Sequence, residues 1–123
     1  MLVLIFSLGY NFIMQHKRYF DDDYNTVNKD LYTVEPYLRS IGIKRTDLVV
    51  SVPDSSLNNS LYLMNNPGWT EAFTDNNYNI KYFIDLGAKY LIVNDSAYAQ
   101  NEFYSKFMKN KIGEYKSIQI YKL

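Results

Sequence analysis

Cysteine is absent from the 123 residues. That excludes disulfides, thiolate metal sites and cysteine nucleophiles together. Histidine occurs once, at His16, too seldom for a zinc site. No serine or carboxylate stands near it at a spacing that suggests a triad. The glycines, at positions 9, 42, 68, 87 and 113, form neither a Walker A loop nor a dinucleotide fingerprint. Net charge is missing as well: 13 basic residues balance 13 acidic ones without a tract of either sign, which argues against nucleic acid as a partner. No catalytic residue, cofactor or metal site follows from such a chain.

What is present fits one globular domain. The apolar share is 47% and the charged share 21%, both ordinary for a folded chain. Tyrosine is abundant, with 13 copies, and asparagine accompanies it. That pair suits a carbohydrate-facing or interfacial surface, but AT-biased coding enriches the same residues.

The N-terminus is the most unusual part. Residues 1–14, "MLVLIFSLGYNFIM", are apolar and run directly into "QHKRYFDDD". As a helix they would span roughly 21 Å, short of the roughly 30 Å hydrocarbon core of a bilayer. No basic segment precedes the run and no small-x-small cleavage site follows it, so it is no ordinary signal peptide. Two readings fit. The run is either a buried first element of a soluble protein or the end of a transmembrane helix that begins upstream. The uninterrupted Leu2–Phe6 and the aromatic, cationic edge after it favour the second. Residues 1–20 are accordingly expected to be that membrane segment, and 21–123 a single α/β domain. Lys17 and Arg18 point the other way, because positive charge marks the cytoplasmic side. His16 reads as a solvated or interfacial residue, and Asp21 to Asp23 as a solvated boundary.

Beyond that boundary, helices and strands alternate. Val27, Leu31, Val34, Leu38 and Ile41 make an apolar stripe at helical spacing. Pro36 implies either a kink or a helix that starts near Glu35, and Gly42 ends it. "DLVVSV" (47–52) and "KYLIVND" (89–95) have the nearly continuous apolar pattern of strands covered on both faces. Helices are expected over 55–65, with Leu57, Leu61 and Met64 on one side, and over 98–110. Between them lies an extended piece, Trp69–Phe73, and a helix capped by Thr74 or Asp75 with Ile80, Phe83 and Ile84 inward and Gly87 at its end. "GEYKSIQIYKL" closes the chain as a strand, with Ile118 and Ile120 on one face and Tyr121 and Leu123 on the other. The expected fold is a small three-layer α/β domain: a mostly parallel sheet of about four strands with helices on both faces. Two segments share one plan of strand, acidic residue, serine and helix at a period of roughly 42 residues, which reads as two successive β-α units.

That shared plan places Asp54-Ser55 and Asp95-Ser96 where strands hand over to helices. The plain reading is N-capping, worth about 1 kcal/mol each. The sharper reading is a ligand site, because open α/β sheets bind ligands at the carboxyl ends of parallel strands. Trp69, after Pro67-Gly68, is either a core anchor or a sugar-stacking platform. Asp54, Ser55, Trp69, Asp95 and Ser96 are therefore the candidate ligand-facing residues. Asn58 and Asn94 head N-glycosylation patterns, which arise easily in an asparagine-rich chain.

The ordered phrases "VPDSS", "LYLMNNPGWT" and "LGAKYLIVND", followed by "GEYKSIQIYKL", resemble the C-terminal soluble domain of bacterial multi-spanning glycosyltransferases related to the protein O-mannosyltransferase family. The likeness spans about residues 26–123 and includes no catalytic signature. It implies an accessory extracytoplasmic domain, not catalytic by itself, of an inner-membrane enzyme that uses a lipid-linked sugar donor. The membrane would be met through residues 1–14 and an upstream part, and a glycan or acceptor would be the partner. The family's catalytic acids belong near the N-terminus of the full protein, so no residue here inherits their role. Two other readings stand beside it: a free-standing α/β module for a small polar, carbohydrate-like ligand or a protein partner, and a structural domain without a small ligand. An independent enzyme would need a nucleophile with its base or a poised acid–base pair, and neither is visible.

Overall fold

The apolar runs at 47–52 and 89–95 become the central strands of one sheet. The computed structural model of the protein describes residues 2–20, 28–73 and 80–123. Its strands are β1 (Val49–Val52), β2 (Gly68–Thr70), β3 (Tyr90–Val93), β4 (Lys111–Tyr115) and β5 (Ile118–Lys122). They lie in the order β2-β1-β3-β5-β4. β1 runs parallel to β2 and β3, with Val49 opposite Gly68 on one side and Tyr90 on the other. β5 is antiparallel to both β3 and β4. The sheet is therefore mixed and five-stranded, not a mostly parallel sheet of about four strands.

The difference arises in "GEYKSIQIYKL". That segment reads as one strand but folds as a hairpin around Lys116-Ser117, where Lys116 takes a left-handed conformation (φ 53°). Glycine or asparagine usually signals such a turn, and neither is there. Asp30 supplies the hold instead. Its Oδ2 accepts from the Ser117 hydroxyl at 2.6 Å and the Ser117 N–H at 3.3 Å, and the Lys116 ammonium lies 3.4 Å from Oδ1.

Alternation along the strands divides the core into two layers. Val49, Ile92, Ile118 and Ile120 face Leu31, Leu38, Leu61 and Met64. Val50, Val52, Leu91, Val93 and Tyr121 face Ile80, Phe83 and Tyr104. Helices thus cover both faces. The first layer comes from α2 (Glu35–Ser40), α3 (Asn59–Met64) and a 3-10 turn, Lys29–Thr33; the second from α4 (Ile80–Asp85) and α5 (Glu102–Ser105).

Several helices are shorter than the periodicity suggests. The stripe ending at Ile41 divides at Val34, and Pro36 sits in the first turn of α2, where its missing N–H costs nothing. Val27, the caps proposed at Thr74 and Asp75, and Asp21 to Asp23 lie outside the described residues. The helix over 55–65 begins only at Asn59, because Ser56 Oγ accepts the Asn59 N–H at 2.8 Å. Instead of one helix over 98–110, a 3-10 turn, Ser96–Gln100, precedes the short α5. Asn101 separates them, its side chain accepting the Phe103 N–H at 2.9 Å. The extended piece after Pro67 is β2 followed by a 3-10 turn, Glu71–Phe73.

The N-terminal run is helical: α1 spans Leu2–Phe20, 19 residues. Ile5, Phe6, Leu8, Tyr10, Phe12 and Ile13 are all exposed on it, between 55% and 75%. No helix among the described residues is long and apolar enough to cross a membrane. The expected membrane segment over 1–20, the end of a helix that begins upstream, is thus not supported by a helix of membrane length, because polar Gln15, His16 and Lys17 occupy the last turns of α1.

Candidate functional site

The carboxyl ends of β1 and β3 carry the residues that sequence singles out. Asp54 follows Pro53, whose peptide bond to Val52 is cis. Its Oδ1 accepts the Ser56 N–H and its Oδ2 the Ser60 N–H, both at 2.8 Å. Its own N–H donates to Glu71 Oε2 at 3.2 Å, and Glu71 Oε1 accepts from the Tyr104 hydroxyl at 2.7 Å. Burial pushes the Asp54 carboxyl up, but hydrogen bonding from Ser56 and Ser60 outweighs it and holds the group below its ordinary value. Asp95 is exposed and accepts the Ala97 N–H at 2.9 Å as the cap of its 3-10 turn.

Both carboxylates thus serve backbone N–H groups of their own turns. Ser55 and Ser96 are exposed. Trp69 stacks on Phe83 of α4, ring centroids 4.9 Å apart and planes 15° apart, so one face of the indole belongs to the second core layer. Asn94, head of a glycosylation pattern, is 2% exposed. Among the described residues, no group of three or more His, Cys, Asp or Glu could hold a metal ion.

What does converge at this end is a partly buried polar chain. Asn94 Nδ2 donates to Ser51 Oγ at 2.8 Å, across β1 and β3. Asn28 Nδ2 donates to the Asn94 carbonyl and, at 2.7 Å, to Ser117 Oγ. The 3-10 turn after Asn28, the end of β3 and the β4–β5 turn are joined this way, a structural arrangement with no reactive group in it.

The open concavity lies elsewhere. A groove of about 670 Å³ runs beside α3 to the start of β2, lined by Glu35, Arg45, Asn58, Tyr62, Asn65 and neighbours. Asn66, Pro67 and Gly68, at the start of β2, line one end of it. Asn66 is 5% exposed and donates to the Lys44 and Asp47 carbonyls at 2.8 and 3.0 Å. Arg39 Nη2 donates to Asn66 Oδ1 and, at 3.0 Å, to the Met64 carbonyl, which fixes the link from α3 to β2. Burial lowers the Arg39 guanidinium from its usual value, and its Nε and Nη1 have no hydrogen-bond partner among the described residues.

At the rim, Arg45 grips Glu35 Oε1 through Nη2 at 2.8 Å and Nε at 2.9 Å, and Asn65 Nδ2 reaches the same oxygen at 3.1 Å. Hydrogen bonding from Asn65 and then Arg45 holds the Glu35 carboxyl below its ordinary value. Asn65 ends α3 in the left-handed conformation (φ 53°), one of the few residue types that does so readily. None of these groove residues is a ligand-facing candidate by sequence, where Asn58 figures only as the head of a glycosylation pattern. The only local signal is "NNPG", a helix stop followed by a strand start. No protein-family model, curated protein or solved structure matches the chain.

Proposed function

We propose that the chain is the accessory extracytoplasmic module of a bacterial inner-membrane glycosyltransferase that works from a lipid-linked sugar donor, and that it is not catalytic by itself. The observation that carries this reading is α1, with six large apolar side chains standing exposed from Ile5 to Ile13. Water does not favour so much unburied apolar surface on one helix, whereas lipid or neighbouring membrane helices do. The resemblance over about residues 26–123 supplies the enzyme class. In keeping with an accessory role, Asp54 and Asp95 are occupied with capping.

Because α1 alone falls short of a spanning helix, the reading requires apolar chain ahead of Leu2. Coding DNA upstream of Met1, translated in the same frame, tests this directly. Several apolar spans are the expected result. An in-frame stop codon close before Met1 overturns it. The groove beside α3 favours a second reading, a free-standing α/β module for a small polar ligand or protein partner.

A further inference from the structure

We infer that the groove formed by Glu35, Arg45, Asn58, Tyr62 and Asn65 is a binding site for a neutral saccharide. The assignment rests on the groove alone, and so stands or falls separately from the transferase reading. Its volume, about 670 Å³, lies within the roughly 300–1,000 Å³ of small-molecule sites. Charge selects the ligand class. The lining holds one acid and one base, and these pair with each other at 2.8 Å, so no net charge calls for an ionic ligand.

The remaining polar groups are those that hydroxyls match. All contacts that Glu35 receives from described residues fall on Oε1, which leaves Oε2 to accept from a hydroxyl. Asn58 makes no side-chain capping bond, so its amide has donors and an acceptor to offer. Asn65 uses Nδ2 on Glu35 and keeps Oδ1 as an acceptor. Tyr62 is 80% exposed, a ring with an apolar face and a hydroxyl at its edge. Leu63, half-buried, adds apolar surface for the C–H face of a sugar ring.

These groups are held in place before a ligand arrives. The Asn65 backbone is set by its helix-terminal conformation and its amide by Glu35, Glu35 is held by Arg45, and Arg39 of α2 holds the link from α3 to β2. Preorganised donors and acceptors lose less freedom on binding.

The test is amide chemical-shift mapping of the 15N-labelled full chain in zwitterionic bicelles, free of sugar-based detergent. Maltose, cellobiose, mannobiose and N,N′-diacetylchitobiose are each titrated to about 20 mM, enough to saturate a millimolar site. At least one of them should shift Asn58, Tyr62, Asn65 and Gly68 and leave Val93 and Ile120 unmoved. Asn65→Gly keeps the left-handed backbone and removes the amide; it and Tyr62→Ser should each weaken binding about two- to tenfold, the share of one hydrogen bond or one ring contact. Absence of groove shifts with all four sugars overturns the proposal. So does tighter binding of glucose 6-phosphate or of an extended peptide in the same groove, which would mark an anion site or a peptide site. Neither outcome touches the transferase reading, whose test is the upstream coding sequence.

Discussion

Lys89, in the turn before β3, places its ammonium 2.7 Å from Asp47 Oδ1, in the loop before β1. The two partners sit in unequal surroundings: the Asp47 side chain is 8% exposed and that of Lys89 60%. Asp47 Oδ2 also accepts the Lys44 N–H at 2.8 Å. The Lys89 hydrogen bond, then that of Lys44, outweighs burial and lowers the Asp47 carboxyl from its ordinary value of 3.8. Asp47 in turn raises Lys89.

A carboxylate whose folded value is depressed stabilises the fold above its unfolded value, and that contribution disappears as pH falls through the folded one. Acid should therefore destabilise the protein below about pH 4. Asp47→Asn should cost about 1–3 kcal/mol at neutral pH, since it removes the charged acceptor from a buried position. The gap between variant and wild type should narrow in acid. Asp30, Glu35 and Asp54 are displaced in the same direction, so an acid limb persists in the variant. Lys89→Met should cost less, because its ammonium is largely solvated. For Lys89 the sign reverses: its contribution is complete below 10.5 and is lost as pH rises through the raised value. Urea denaturation across the pH range checks each of these statements.

Asp54 and Asp95 look equivalent in the sequence and are not so in the fold. Asp54 is half-buried and holds two N–H groups across the loop into α3, whereas Asp95 is exposed and holds one. Asp54→Ala should cost about 1–2 kcal/mol and speed amide exchange at Ser56 and Ser60. Asp95→Ala should cost about 0.5 kcal/mol, the low end for a cap. Equal costs would contradict the geometry.

The contrast marks how far sequence alone reaches. "DLVVSV" and "KYLIVND" announce buried strands, because a continuous β-branched run has nowhere to lie except between two covered faces. The hairpin at Lys116 carries no sequence signal, because its left-handed residue is a lysine stabilised from Asp30, which lies far away in the chain. The helix expected over 98–110 failed at Asn101, where a side-chain cap competes with helix continuation. The groove was illegible for a different reason. Arg45 lies 10 residues from Glu35, and Asn65 lies 30 residues from it, so nothing in a linear pattern joins them.

Gly68 is where the backbone tolerates no side chain. It starts β2 opposite Val49 with φ 153°, and a Cβ placed there would lie 1.8 Å from the Val49 carbonyl oxygen. That oxygen belongs to backbone in the centre of the sheet and has no room to yield. Gly68→Ala should therefore separate β2 from β1 and cost about 3 kcal/mol or more. The expected signs are a lower denaturation midpoint and lost protection of the Val49–Ser51 amides. Because Gly68 also lines the groove, the same substitution should abolish saccharide shifts, whereas Asn65→Gly weakens them with stability nearly unchanged.

α1 offers the most direct measurement on the intact chain. At 100° per residue, Ser7, Asn11 and Gln15 fall on one narrow stripe, and Asn11 Nδ2 donates back to the Ser7 carbonyl at 2.9 Å. From Ile5 to Met14 the remaining positions are apolar, aromatic or glycine, with Phe6, Phe12 and Ile13 all more than half exposed. Burying a side chain of this size in an apolar medium is worth about 1.5–3 kcal/mol, so each should change partitioning about tenfold or more. The full chain is expected to float with phosphatidylcholine vesicles, and more strongly when phosphatidylglycerol is added, because Lys17 follows the apolar stretch. Phe6→Asp and Ile13→Asp together should leave it in the aqueous fraction while the far-ultraviolet spectrum of the α/β unit stays unchanged. A wild-type chain that stays in solution with both vesicle types would remove the proposed lipid-facing role from α1, and with it the support for the membrane-enzyme proposal.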